Sequence, residues 1–135
     1  MAVADSRAMS AASSDVVVAC LCAGWCTTCD AYRPALAELA AQHPAVRFAW
    51  IDIEDDSDAL GDDALDIENF PTIMLLRGGR VLFHGTVLPH ASTVARMLEA
   101  LDAGTLAPGD AATVSPQMAA AVWRLAPDRP VSRPA

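Results

Sequence analysis

Val16-Val17-Val18-Ala19-Cys20-Leu21-Cys22 is an uninterrupted apolar run. It begins with three β-branched residues and is followed by Gly24, so Asp15 to Cys22 reads as a buried strand. From Thr27 to Gln42 the apolar positions change to helical spacing, with Tyr32, Leu36 and Leu39 on one side. Pro34 lies inside that segment, removes one backbone hydrogen bond and predicts a kink. His43-Pro44 closes the helix. Val46 to Ile53 alternates and reads as a second strand, and a short helix is expected from Asp58 to Leu65. After Phe70-Pro71, Thr72 to Leu76 form a third strand. Gly78-Gly79 signals a tight hairpin, with Arg80 to His84 returning as a fourth strand. Ala91 to Leu101 is amphipathic through Val94, Met97, Leu98 and Leu101. Ser115-Pro116 opens a short helix through Trp123, with proline at the first helical position.

This order predicts an α/β fold: a central mixed sheet of about four to five strands with helices on both faces. The first two strands need a crossover and should be parallel, whereas the glycine hairpin must be antiparallel. The 135 residues suit one domain. Residues 1–14 read as a flexible, Ala/Ser-rich N-terminus and 15–103 as the folded domain. Residues 104–135 read as a Pro- and Ala-rich extension with a short helix, partly disordered towards its end.

The formal net charge of −8 argues against nucleic acid as a partner. Asp52, Glu54, Asp55, Asp56, Asp58, Asp62, Asp63, Asp66 and Glu68 concentrate the acid in one stretch, read as a solvated face or, more sharply, as a docking surface for a basic partner. No segment is long and apolar enough to span a membrane, and the one apolar run near the N-terminus leads directly into cysteines, so no leader is expected and the cytoplasm is the expected location. Four cysteines in such a chain favour catalysis or metal binding over structural disulfides.

The chemistry concentrates in Trp25-Cys26-Thr27-Thr28-Cys29, at a strand-to-helix junction. Two intervening residues let both sulfurs sit in the first helical turn, a spacing suited to thiol–disulfide exchange. The first sulfur then faces unpaired backbone N–H groups and the positive end of the helix dipole, which favour a thiolate. His43, His84 and His90 have no spacing to the cysteines that suggests a catalytic pair and read as structural or exposed.

From Asp15 to Ala103 the chain resembles the thioredoxin family. Trp25-Cys26-Thr27-Thr28-Cys29 is similar to the family's Trp-Cys-x-x-Cys, and Pro34 to its helix proline. Phe70-Pro71-Thr72 is similar to its cis-proline element, and Gly79 and Gly85 to its hairpin and late-strand glycines. The resemblance implies a thioredoxin-like fold and a thiol–disulfide oxidoreductase with a part in cell redox homeostasis. Cys26 would be the nucleophile and Cys29 the more buried resolving thiol, so that a redox-active Cys26–Cys29 disulfide serves in place of any cofactor. Pro71 would present backbone to the substrate and keep the site free of metal; Trp25, Phe70 and Thr72 would complete the binding surface. The implied partners are disulfide-containing protein substrates and a reductase donor, without nucleic acid or membrane, acting on a monomer.

The chain also departs from the family pattern. The family's buried acid is here Cys20, the aromatic two residues on is Cys22, and the lysine that often partners the acid is replaced by Trp50. Cys20 and Cys22 share one strand face, which on the family's geometry looks toward the dithiol. They read either as small core residues or as auxiliary thiols that trap or relay a disulfide. Thr27-Thr28 adds no positive charge and Asp30 follows at once, which points to the reducing end of the family. Two other readings remain: a binding or adaptor module holding a partner in the groove beside Pro71, and a four-cysteine metal site.

Overall fold

The computed structural model describes residues 15–61, 67 and 69–132. Four strands form one sheet: β1 (Val16–Cys22), β2 (Arg47–Asp52), β3 (Thr72–Arg77) and β4 (Arg80–Thr86). Their order across the sheet is β2-β1-β3-β4. β1 runs parallel to β2 and antiparallel to β3, and β3 pairs antiparallel with β4. The mixed sheet expected from the pattern is therefore present. Gly78 and Gly79 turn the β3–β4 hairpin at φ 58° and 85°, backbone that favours glycine.

The helices are α1 (Thr27–Gln42), α2 (Ser57–Leu60), α3 (Ala91–Ala103) and α4 (Pro116–Leu125). α1 runs without a break through Pro34. α2 is described from Ser57 to Leu60; residues 62–65 of the expected helix lie outside the described residues, as do Asp66 and Glu68 of the acidic stretch.

β1 is buried at every position because both its faces are covered. Val16, Val18, Cys20 and Cys22 pack with Tyr32, Leu36 and Leu39 of α1 and Val94, Met97 and Leu98 of α3. Val17, Ala19 and Leu21 face the other way, onto Leu60 of α2 and Met118, Ala121 and Val122 of α4. The extension from 104 onward thus completes one of the two cores, with Met118, Ala121, Val122 and Ala126, rather than trailing from a finished domain. Its helix starts where Ser115 Oγ accepts from Met118 N at 3.1 Å, with proline at the first position.

Beyond α4 the chain covers the outer edge of β2. Trp50 N donates to Arg129 O at 2.7 Å, and Val131 N donates to Phe48 O at 3.1 Å. The Arg129 guanidinium also makes two hydrogen bonds to the Asp56 carboxylate, at 2.8 and 3.0 Å. None of these contacts was expected from the sequence.

Candidate active site

β1 ends at Cys22, Ala23 to Cys26 form a tight turn closed by Cys26 N donating to Ala23 O at 3.0 Å, and α1 begins at Thr27. A side chain on Gly24 would meet Asp52 Oδ2 at 3.0 Å, so this turn runs close against the end of β2. Cys26 is the N-cap of α1 and half-buried; Cys29 lies in the first turn and is 1% exposed. Helical residues three apart have Cβ atoms about 5–6 Å apart, so these two cysteines are neighbours by local geometry.

The bonded pair is a different one. Cys29 forms a disulfide with Cys22, with Cα atoms 6.2 Å apart, and Cys26 is a free thiol. The Cys26–Cys29 disulfide that the resemblance implies is not the one present in this state. The reason lies in burial. Cys29 points into the core between sheet and α1, where β1 aims Cys20 and Cys22, whereas Cys26 sits at the rim. Cys20 is fully buried, and its sulfur lies 3.5 Å from that of Cys22. All four cysteines therefore belong to one cluster. Among the described residues no group of three or more His, Cys, Asp or Glu side chains is arranged to hold a metal ion.

Burial pushes the Cys20 thiol far above its ordinary range; the Arg33 guanidinium pulls it part of the way back, and Cys26 adds to the rise. The Tyr32 phenol is likewise raised, by burial first and then by Cys20. Its hydroxyl is buried with no hydrogen-bond partner among the described residues.

The rim is apolar. Trp25 is 66% exposed and meets Phe70 edge-on, with ring centroids 5.6 Å apart. The Phe70–Pro71 peptide bond is cis, and Pro71 and Thr72 are buried. The Thr72 hydroxyl donates to Asn69 O at 2.7 Å, and Val87 N donates to Pro71 O at 3.1 Å. Thr72 pairs with Leu21, and Ile73 with Cys20, so the Pro71 loop and the cysteine strand are adjacent in the sheet.

Trp50, at the position of the family's lysine, lies under the Arg33 guanidinium, 5.1 Å from the ring centroid. Arg33 also donates to Val131 O at 2.9 Å and Pro130 O at 3.2 Å. Sequence reasoning missed Arg33, because a lone arginine one turn beyond Cys29 carries no signal of what it will meet. A cavity of about 580 Å3 opens here, with Asp30, Asp52, Asp55, Asp56 and Asp128 among its walls.

The thioredoxin family profile matches residues 5–100. The chain belongs to the thioredoxin family. Solved thioredoxins share the fold. Mitochondrial thioredoxin 3 of Saccharomyces cerevisiae, in its oxidised form, is 21% identical with a TM-score of 0.54, over 72% of this chain and 88% of that one. A poplar thioredoxin h is 23% identical with a TM-score of 0.57, over 74% and 87%. Thioredoxin f of spinach chloroplast is 28% identical with a TM-score of 0.53, over 70% and 74%. No curated protein sequence matches the chain significantly. Membership of this family, with a cysteine pair at bonding distance beside the Pro71 loop, makes thiol–disulfide exchange the chemistry of the site. Among the described residues no helix is long and apolar enough to cross a membrane.

Proposed function

We propose that this member of the thioredoxin family is a protein disulfide reductase in which Cys26 is the nucleophile and Cys29 the resolving thiol. The observation that carries the reading is the placement of Cys26, half-buried at the N-cap of α1, one turn before a fully buried cysteine and beside an exposed aromatic rim. The Cys26 thiolate attacks a substrate disulfide, forms a mixed disulfide and expels one substrate thiolate. Cys29, once deprotonated, attacks the Cys26 sulfur and expels the second. Trp25 and Phe70 give an extended substrate an apolar surface, and Pro71 and Thr72 bound the groove in which it lies. The exchangeable disulfide is the only redox group the reaction needs. A dithiol donor returns it to the reduced form, and we place the monomer in the cytoplasm, where such donors keep thiols reduced.

Dithiothreitol-driven reduction of insulin tests the reading. The wild-type protein accelerates precipitation of the freed chains, and Cys26→Ser does not. A binding module without turnover gives no acceleration from either. Cys29→Ser accumulates a mixed disulfide on Cys26, visible as a mass increase that dithiothreitol removes.

A further inference from the structure

We infer that Cys22 is a third redox-active thiol, which takes the disulfide from Cys26–Cys29 by exchange at the Cys29 sulfur and returns Cys26 to the free thiol. The inference rests on the reductase reading and extends it.

Cys29 has one prospective partner at the rim and another in the core, and it can bond only one at a time. The structure shows it bonded to the inner one, with Cys26 unbonded and half-buried. The Cα separation of 6.2 Å lies within the range that disulfides span without backbone movement. β1 aims Cys22 at α1 because even-numbered residues of that strand face the helix. The local geometry at the start of α1 keeps Cys26 within reach of the same sulfur.

The exchange balances without any further reactant. After a substrate disulfide is reduced, the protein carries Cys26–Cys29. The Cys22 thiolate attacks the Cys29 sulfur, Cys22–Cys29 forms, and Cys26–Cys29 breaks. The electron pair leaves on the Cys26 sulfur, and the proton given up by Cys22 is replaced there. One thiol and one disulfide stand on each side, so nothing is oxidised or reduced overall.

The exchange changes what Cys26 can do. In the surface isomer Cys26 is bonded and inert toward substrate. In the buried isomer it is a free thiol with no resolving partner. A second substrate disulfide is then attacked but not released, and the protein holds that substrate covalently until a donor reduces Cys22–Cys29. That bond is shielded, since Cys22 and Cys29 are 2% and 1% exposed. Cys20 lies next in line, its sulfur 3.5 Å from that of Cys22, and is a free thiol in the buried isomer.

Disulfide mapping over time tests this. The reduced protein is mixed with one equivalent of oxidised glutathione, quenched in acid at intervals, labelled with a maleimide in denaturant, and cut with chymotrypsin. Cleavage after Leu21, Trp25 and Tyr32 puts Cys20, Cys22 and the Cys26/Cys29 pair on three peptides. The expected course is an internal Cys26–Cys29 disulfide first. A Cys22 peptide cross-linked to a peptide labelled at Cys26 then replaces it. In Cys22→Ala the internal disulfide persists, and end-point labelling of Cys26 falls at least about tenfold. The wild-type course stands without the variant, and Cys22→Ser replaces Cys22→Ala if the latter fails to fold. A wild-type protein that ends with Cys22 labelled and Cys26–Cys29 intact overturns the inference, as does a Cys22–Cys29 bond formed with no Cys26–Cys29 precursor. The same preparation is assayed for insulin reduction. Activity without a Cys22–Cys29 species removes only this inference; no activity removes the reductase reading beneath it.

Discussion

Cys20 occupies the most demanding of the four cysteine positions. It is fully buried, its sulfur lies 3.5 Å from that of Cys22, and its strand neighbours in the sheet are Trp50 and Ile73. A carboxylate there loses its hydration in the core, and the Arg33 guanidinium offsets only part of that cost. Cys20→Asp is expected to lower unfolding free energy by at least about 2 kcal/mol, measured by urea denaturation. His84 illustrates a different cost. Both its ring nitrogens are buried without a hydrogen-bond partner among the described residues, and burial lowers its pKa while Asp110 opposes the shift. The folded protein therefore prefers the neutral ring. Below the ordinary value of 6.5 the unfolded chain takes up the proton first. Stability from this residue is full above that pH and declines as pH falls through the folded value. His84→Phe should flatten that decline, seen in urea midpoints followed from neutral pH into the acid range.

Among the elements, α1 was legible at both ends, Thr27 and Gln42, because the cysteine motif marks its start and His43-Pro44 its end. β3, β4 and the turn between them followed from the paired glycines Gly78-Gly79. α4 followed from Ser115-Pro116, and the cap can be weighed: Ser115→Ala removes the acceptor for Met118 N and should cost about 1 kcal/mol, read from the denaturation midpoint. The covering of β2 by Arg129 to Val131 was not legible. It is made largely by backbone groups and by an ion pair whose residues, Asp56 and Arg129, lie 73 positions apart. Backbone pairing leaves no side-chain pattern to read. The Cys22–Cys29 bond escaped for a related reason. Spacing reports neighbours within one helical turn, but only the approach of the strand end to the helix decides which sulfur meets Cys29 in the core. The sequence did show that Cys20 and Cys22 share a face.

The molecule as a whole carries a net charge of −8, and Asp30, Asp52, Asp55, Asp56 and Asp128 line one cavity beside the site. Disulfide peptides with basic flanks should be reduced severalfold faster than acidic ones at low salt, and the gap should close at high salt as screening shortens the field. Steady-state rates for such a pair, compared at two ionic strengths, check this. The core has two halves, and the second depends on residues past 103. A chain ending at Ala103 loses Met118 and Val122, each worth about 1.5–3 kcal/mol of burial, a large share of an ordinary domain's about 5–15 kcal/mol. It should unfold without a cooperative transition and bind a hydrophobic dye. The last contact of the fold also reaches the site, because Arg33 is held by a carbonyl 98 positions downstream, that of Val131. At ordinary translation rates of roughly 5–20 residues per second, that separation takes on the order of 5–20 s to synthesise. The newborn helix therefore waits that long for its anchor, with its thiols already made.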